Sequence, residues 1–371
     1  MVVCFFMYTF IINFPKMEIW RDNMGINAGV LKGYLLEEAL AKLIQSSGYT
    51  LLTKREQSPD DLIERSNGLN VIGRGGFHQA DVLGQFPYSY PFTYPTRLFV
   101  EAKFRRIKTG IDVVRKGIGI INDLNSNYLT AQISDNTELL VQRYNYNYAI
   151  FSTSGFSEDA TKLAIAHKIH LIDLSGAEYN PLKQAISDAA ERIIDTFDGE
   201  IPKHIVKDIR LNFRSILYFQ QLVVLDEPVR IISNNSSNIL FELAQYIQAY
   251  GDLYLASSNT PYIILLKPNK PTEFKKLFEQ RQKIDASISW RRNQDGSTTW
   301  HIHLDDLIND GYLSFRIPDI LSEYIFKDND EQESLMRAIE SKKKFLSNLT
   351  FFTIINDHDY FINIRYKTVG T

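Results

Sequence analysis

The chain has 371 residues, of which 44% are hydrophobic and 23% are charged, a composition and length that predict a globular protein of two domains with a sizeable core. The formal net charge of −3 excludes a global basic field, so any surface for nucleic acid must be a local patch. The single cysteine, Cys4, excludes a disulfide framework and a cysteine-rich zinc site, and it fits a reducing cytoplasm.

The amino-terminal residues 1–24 form a separate segment. Residues 1–12 are strongly apolar but too few to span a bilayer, and they lack the basic start and cleavage site of a signal peptide. We interpret residues 1–24 as an apolar arm or as a mis-assigned start with Met17 or Met24 as the true one. A membrane anchor is the alternative interpretation.

The next hundred residues alternate between helical and extended patterns. Residues 31–49 predict a helix, because apolar side chains recur at helical spacing. The stretch "GLNVIGRGGFHQADVLGQF", residues 68–86, predicts a glycine-rich turn that leads into a strand. Residues 87–96 contain three prolines and predict a loop. Residues 98–104, "LFVEAKF", predict a strand, and residues 111–128 predict a helix.

A strand, a helix and a strand follow over residues 146–156, 157–169 and 170–174. Ser157 is the predicted N-cap, with acidic residues in the first turn, where the helix dipole favours them. This alternation predicts an α/β sheet with some parallel pairing over residues 80–175.

The second half of the chain has a different pattern. Residues 180–197 predict an amphipathic helix that bridges two domains. Residues 285–304 alternate around Asp295-Gly296, which predicts a β-hairpin. Further strands are predicted at residues 312–318, 351–357 and 360–366. Together these elements predict an α+β domain with an antiparallel sheet.

One predicted strand places an acid and a base on the same face. Glu101 and Lys103 are two residues apart, so their side chains point to the same side of the strand. Asp81 enters the neighbouring predicted strand, and Glu37 or Glu38 lies on the first helix. Two carboxylates on adjacent strands can bind Mg²⁺, with Mn²⁺ as a substitute. A lysine beside them can orient a water molecule or neutralise a phosphate. The alternative is a solvated strand face with no chemistry.

The order of these parts resembles the restriction-endonuclease-like superfamily with the PD-(D/E)XK signature, in particular its Mrr-type branch, over residues 30–175. The helix "GYLLEEALAKLIQSSGY" resembles the first helix of that branch, and its spacing to Gly48 favours Glu37 over Glu38. "GRGGFHQADVLG" resembles the turn with the metal-binding aspartate, and "FVEAKF" resembles the third motif. Two departures are Ala80-Asp81 in place of Pro-Asp and a glutamate where many Mrr-type domains have glutamine.

The resemblance implies a fold and a function. The fold would be a restriction-endonuclease-like core, a mixed central sheet flanked by helices, over residues 25–178, with an α+β recognition or sensor domain at residues 179–371. The function would be Mg²⁺-dependent cleavage of DNA in restriction or anti-phage defence. The implied catalytic set is Glu37, Asp81, Glu101 and Lys103, with Asp81 and Glu101 as metal ligands.

Two other functions stay open, a structure-selective repair or recombination nuclease and a non-catalytic nucleic-acid-binding or sensor protein with a vestigial site. The expected partners are DNA, a second copy of the chain and a trigger protein bound to the second half, with no membrane.

Several further residues have a functional and a structural interpretation. Arg105, Arg106 and Lys108, with Arg115 and Lys116 nearby, form a basic cluster that is either a solvated surface or a phosphate contact. His301 and His303 could bind a metal, but a structural role is favoured because no further ligands cluster with them. Trp290, Arg291, Arg292 and Trp300 could stack on bases or contact a partner. The turn around Gly73 and His78 is interpreted as structural.

Overall fold

The computed structural model describes residues 25–367, apart from residues 90, 135–136, 142, 219–232, 259–262, 294–297, 307–309, 318–321, 323–324 and 326–330. The arm or alternative start predicted for residues 1–24 therefore lies outside the described residues. So does the hairpin turn predicted at Asp295-Gly296.

The helices of the described residues are α1 (Ala28–Ser46), α2 (Ile111–Asn125), α3 (Glu158–Ala166), α4 (Asn180–Asp195), α5 (Lys203–Leu217), α6 (Asn234–Tyr250), α7 (Pro271–Gln280) and α8 (Glu331–Phe345). The strands of the first half are β1 (Thr50–Leu51), β2 (Leu62–Arg65), β3 (Gly68–Ile72), β4 (Phe77–Gln79), β5 (Val82–Gln85), β6 (Thr96–Lys103), β7 (Leu129–Ser134), β8 (Thr137–Val141), β9 (Asn145–Ser152) and β10 (His170–Asp173). The strands of the second half are β11 (Tyr254–Ser257), β12 (Ile263–Pro268), β13 (Lys283–Arg292), β14 (Thr298–Leu304), β15 (Tyr312–Phe315), β16 (Asn348–Ile355) and β17 (His358–Tyr366).

The first half of the chain forms a mixed five-stranded sheet in the order β1-β5-β6-β9-β10. Strands β6, β9 and β10 are parallel, as the alternation of strands and helices predicts. Strand β5 lies antiparallel to β6 on the other side. The predicted cap of α3 is also confirmed, because the Ser157 hydroxyl accepts a hydrogen bond from the Ala160 amide at 3.2 Å. Small sheets β2-β3-β4 and β7-β8 lie outside this main sheet.

The second half contains a closed barrel of seven strands in the order β11-β12-β15-β14-β13-β17-β16. Strand β11 closes it by pairing with both β12 and β16, and β13 runs parallel to β17. The predicted fold class, a restriction-endonuclease-like core followed by an α+β domain, is therefore wrong, because a closed barrel is not a restriction-endonuclease-like mixed sheet core. Alternation along a strand identifies its inward face, but the same alternation occurs in open and closed sheets, so it does not predict closure.

The barrel interior is filled by the side chains that point inward as buried and less buried residues alternate along each strand. On β13 and β14 the buried positions are every second residue, among them Ile288, Trp300 and Ile302. Trp300 is 0% exposed, which is incompatible with stacking on a nucleic-acid base. The predicted hairpin strands do pair antiparallel, with Trp290 opposite Trp300.

The apolar core around α1 continues into the helices that follow the first sheet. Residues of α4, α5 and α6, including Phe213 and Leu240, belong to the same buried cluster as those of α1. This cluster spans the predicted domain boundary at residues 178–179. The Tyr179 hydroxyl donates a hydrogen bond to the Leu265 carbonyl at 2.8 Å, which joins the cluster to the barrel.

In the described part of the chain, no helix combines the length and the apolar character that crossing a membrane requires.

Candidate functional site

Strands β5 and β6 bring Asp81 next to Glu101. In the antiparallel register Val82 lies opposite Val100, and the Asp81 amide donates a hydrogen bond to the Val100 carbonyl at 3.0 Å. The Asp81 carboxylate in turn accepts a hydrogen bond from the Ala102 amide at 2.7 Å. Asp81 is therefore held at its position by both its backbone and its side chain.

Glu101 is 5% exposed and has three polar neighbours. The Lys103 ammonium group donates a hydrogen bond to Glu101 Oε1, and the Tyr148 hydroxyl donates one to Oε2 at 3.2 Å. The ammonium group of Lys116, on α2, lies 3.7 Å from Oε1. The acid and base of the "EAK" sequence thus share one strand face, as the alternation predicts. They also form a direct ion pair.

Tyr148 is fixed by packing on both sides of its ring. It stacks on Phe99 with ring centroids 5.1 Å apart. On α2, a Cβ atom at Gly117 would lie 2.8 Å from the ring, so this position requires glycine for the close approach. Burial, and then the neighbouring Glu101, hold the pKa of Tyr148 well above its ordinary value. The hydroxyl therefore stays protonated and acts as a donor to Glu101.

The carboxyl groups of the site repel one another in a partly dry environment. Burial and then the charge of Glu101 raise the pKa of Asp81, against the hydrogen bond from Ala102 and the charge of Lys103. Burial is also the main cause that raises the pKa of Glu37 to about 8, with Arg210 opposing it and Asp81 adding to it. The charges of Glu37 and Asp81 therefore repel each other when both groups are ionised.

Glu37 and Glu38, adjacent on α1, have different environments. Glu38 is 1% exposed and binds the guanidinium groups of both Arg210 and Arg214, each at 2.8 Å. Burial would raise the pKa of Glu38, but these two arginines outweigh it and lower the pKa. Glu37 binds Arg210 at 2.8 Å, and the charge of Asp81 is one of the causes that raise its pKa. These contacts associate Glu37 with the site and give Glu38 a structural role.

The residues present fit a hard divalent cation. Mg²⁺ usually takes one or two protein carboxylates and completes its shell with water and phosphate oxygens. Asp81 and Glu101 supply two such carboxylates, and the Lys103 ammonium group lies beside them. Across the described residues no group of three or more His, Cys, Asp or Glu side chains is arranged as a metal site.

The predicted basic residues lie on the loop after β6. Arg105, Arg106 and Lys108 are exposed, and the Arg105 amide is anchored by the Thr153 hydroxyl at 3.0 Å. Lys116, 64% exposed on its side chain, is the member of the wider cluster that reaches Glu101. The Lys116 ammonium group is mostly in solvent, so it can contact another anion as well as Glu101.

The glycine-rich turn binds an aspartate of α2. The Gly75 amide donates to Asp123 Oδ1 at 2.7 Å, and His78 Nε2 lies 2.7 Å from Oδ2. A Cβ atom at Gly73 would lie 2.0 Å from the same carboxylate. These contacts agree with the structural interpretation of the turn and of His78.

His301 and His303 lie on the outer face of the barrel. They pack against Tyr312, with ring centroids 4.5 Å and 5.9 Å away, and His303 Nε2 lies 2.9 Å from the Ser289 hydroxyl. Burial, then His303 and Arg291, lower the pKa of His301. These contacts agree with the favoured structural role.

Sequence reasoning missed the roles of Tyr148 and Arg210. Each comes from an element distant in sequence, and nothing in its local pattern indicates the contact. The glycine at position 117 is a signal of close packing on α2, but it does not identify the ring that packs there.

A scan against models of known protein families finds no match to this chain, and a search of curated proteins finds none either. Among solved structures the chain is similar to one titled "Crystal Structure of Protein of Unknown Function AF1548". The identity is 15%, the TM-score is 0.32, and the match covers 58% of this chain and 98% of that chain. A likeness at this TM-score carries no argument about fold or function.

Proposed function

We propose that this chain is a Mg²⁺-dependent DNA endonuclease, with Mn²⁺ as a substitute. The observation that carries the proposal is the position of Asp81, directly before β5, beside Glu101 on β6, with Lys103 bound to Glu101. Burial and mutual repulsion raise the pKa of Asp81, which is the state expected of a carboxylate site that takes a cation. The resemblance of "GRGGFHQADVLG" and "FVEAKF" to PD-(D/E)XK motifs supports the same residues.

Each residue has a distinct role in the proposed reaction. Asp81 and Glu101 would hold the ion, which when bound supplies an activated water and positive charge beside the scissile phosphate. Lys103 orients the attacking water and neutralises the charge that develops on the phosphate. Tyr148 fixes the orientation of Glu101 through its hydrogen bond. Glu37 supports the ion from α1 without replacing either ligand.

The products follow from the direction of attack that the motif resemblance implies. The water oxygen forms a bond to phosphorus while the bond to the 3′ oxygen breaks. The 3′ oxygen takes up a proton to give a 3′-hydroxyl, and the phosphate stays on the 5′ end. The exposed basic residues after β6 would contact the DNA backbone, which positions a duplex without reading its sequence. We assign the activity to restriction or anti-phage defence in the cytoplasm.

The test is cleavage of supercoiled plasmid, methylated and unmethylated, with Mg²⁺ or with a chelator. The variants are Asp81→Asn and Lys103→Met, and the control is a His301→Gln, His303→Gln double variant on the barrel. We expect nicking or linearisation that needs Mg²⁺, is lost in both site variants and is retained in the barrel control. Methylation dependence would identify a modification-sensing restriction enzyme.

If the plasmid stays intact in every reaction, Mn²⁺ binding to the protein is measured next. Mn²⁺ binding that Asp81→Asn abolishes would then support a nuclease gated by a trigger or partner. Absence of Mn²⁺ binding by the wild type would contradict the proposed function and favour a vestigial site.

A further inference from the structure

Two neighbouring glutamates of α1 meet two arginines one helical turn apart on α5. Arg214 donates to both oxygens of Glu38, from Nε to Oε2 and from Nη2 to Oε1, each at 2.8 Å. Arg210 donates from Nε to Glu38 Oε1 at 2.8 Å. Its Nη2 atom lies 2.8 Å from Glu37 Oε2. Arg210 therefore bridges the two glutamates, whereas Arg214 binds Glu38.

The bridge depends on the shape of a guanidinium group. Its planar fork presents several N–H donors in fixed directions, so one arginine can bind two carboxylates at once, while a lysine ammonium is a single point charge. The Arg210 guanidinium also lies over the ring of Tyr34, 4.9 Å from its centroid, which fixes the plane of the fork.

We propose that Arg210 is a positioning residue that holds Glu37 at the site and thereby raises its affinity for the divalent cation. The inference rests on the proposed function. Glu37 is the carboxyl group of this network whose pKa is raised by the charge of Asp81, and the charge of Arg210 acts on Asp81 as well. Both residues therefore lie near a proposed metal ligand, and Arg210→Lys keeps the charge while it removes the contact that orients Glu37. Removing a partner that orients a group around a metal typically costs about 10-fold to 100-fold in metal affinity.

Helix α5, which belongs to the second predicted domain, contributes Arg210 to the site. Arg210 lies on α5, beyond residue 178, and its bond to Glu38 spans 172 positions of sequence. The site therefore includes a contribution from outside residues 30–175, the range of the motif resemblance.

Arg210→Lys and Arg214→Lys form a matched pair of variants. Both variants keep a positive charge, and both replace a guanidinium group that binds the buried Glu38. Both should therefore lower the midpoint of thermal unfolding. In Arg210→Lys the single ammonium group binds the fully buried Glu38, and Glu37 loses its partner. In Arg214→Lys the contact between Arg210 and Glu37 stays intact.

The measurement is Mn²⁺ binding to the whole chain, followed by electron paramagnetic resonance of the free ion. We expect the dissociation constant to rise about 10-fold in Arg210→Lys and in Glu37→Gln, and to stay within about twofold of wild type in Arg214→Lys. Adding Arg210→Lys to Glu37→Gln should cause no further loss, because Arg210 is proposed to act on the ion through the Glu37 carboxylate, which Glu37→Gln has already removed.

The Mn²⁺ binding results distinguish failure of the positioning role from failure of the proposed function. Equal effects of Arg210→Lys and Arg214→Lys, or additive effects of Arg210→Lys and Glu37→Gln, would overturn the positioning role. If Asp81→Asn abolishes Mn²⁺ binding while Arg210→Lys leaves it unchanged, this inference fails and the proposed function stands. If the wild type binds no Mn²⁺, both are overturned.

Discussion

Glu37→Gln should make the protein more stable at alkaline pH. The substitution keeps the shape of the side chain and its capacity to accept a hydrogen bond from Arg210, but it removes a carboxyl group that burial makes costly to ionise. The effect should appear without divalent cation, so the chelator is present throughout.

The sign and size follow from the two states of the wild type. The pKa of Glu37 rises from an ordinary 4.5 to about 8 on folding. Between these values the unfolded chain has lost the proton while the folded chain keeps it, so the free energy of unfolding falls as the pH rises. Stability that is fully present below pH 4.5 is thus lost by about pH 8. At about 1.4 kcal/mol per pH unit the loss reaches about 5 kcal/mol.

The assay is urea unfolding of wild type and Glu37→Gln at pH 5, 6.5 and 8.5. We expect nearly equal stability at pH 5 and an advantage of about 2 to 4 kcal/mol for the variant at pH 8.5, within the limit set by linkage. A difference that does not change with pH would refute the reasoning, as would a variant less stable than wild type at pH 8.5.

Glu38→Gln is the matched control with the opposite sign. Arg214 and Arg210 overcome burial and lower the pKa of Glu38, so its charge stabilises the fold at neutral and alkaline pH and this stability is lost as the pH falls. Removing the charge leaves two arginines with a neutral partner and should cost about 3 to 5 kcal/mol at pH 8.5. Neighbouring glutamates thus provide an internal comparison.

Three further predictions concern the surroundings of the site. Lys116→Met should weaken DNA binding and reduce the slope of log affinity against log salt by about 1, measured by fluorescence anisotropy, and an unchanged slope would exclude a phosphate contact. Tyr148→Phe should lower cleavage by about 10-fold because Glu101 loses its donor, and a cleavage rate equal to wild type at limiting Mg²⁺ would contradict this role. Gly73→Ala should destabilise the fold by about 1 to 3 kcal/mol in thermal unfolding, because the added Cβ would lie 2.0 Å from the Asp123 carboxylate, and an unchanged unfolding midpoint would argue against this contact.

Local sequence pattern determined the elements that carry the candidate site. Helix α1, the strands β6, β9 and β10, and the N-cap at Ser157 follow from spacing and from side-chain chemistry, which act over a few residues. The shared face of Glu101 and Lys103 follows from the period of two residues in a strand. These features need no information from the rest of the chain.

Only the tertiary structure decided the closure of the barrel and the partners of the carboxylates. Closure depends on which strands pair and in which register, and β11 reaches β16 across about ninety residues of sequence. Tyr148, Lys116 and Arg210 reach Glu101 and Glu37 from a strand and two helices that are separate in sequence. The physical reason is that hydrogen bonds and ion pairs depend on distance in space, whereas helix and strand patterns are set by neighbours along the chain.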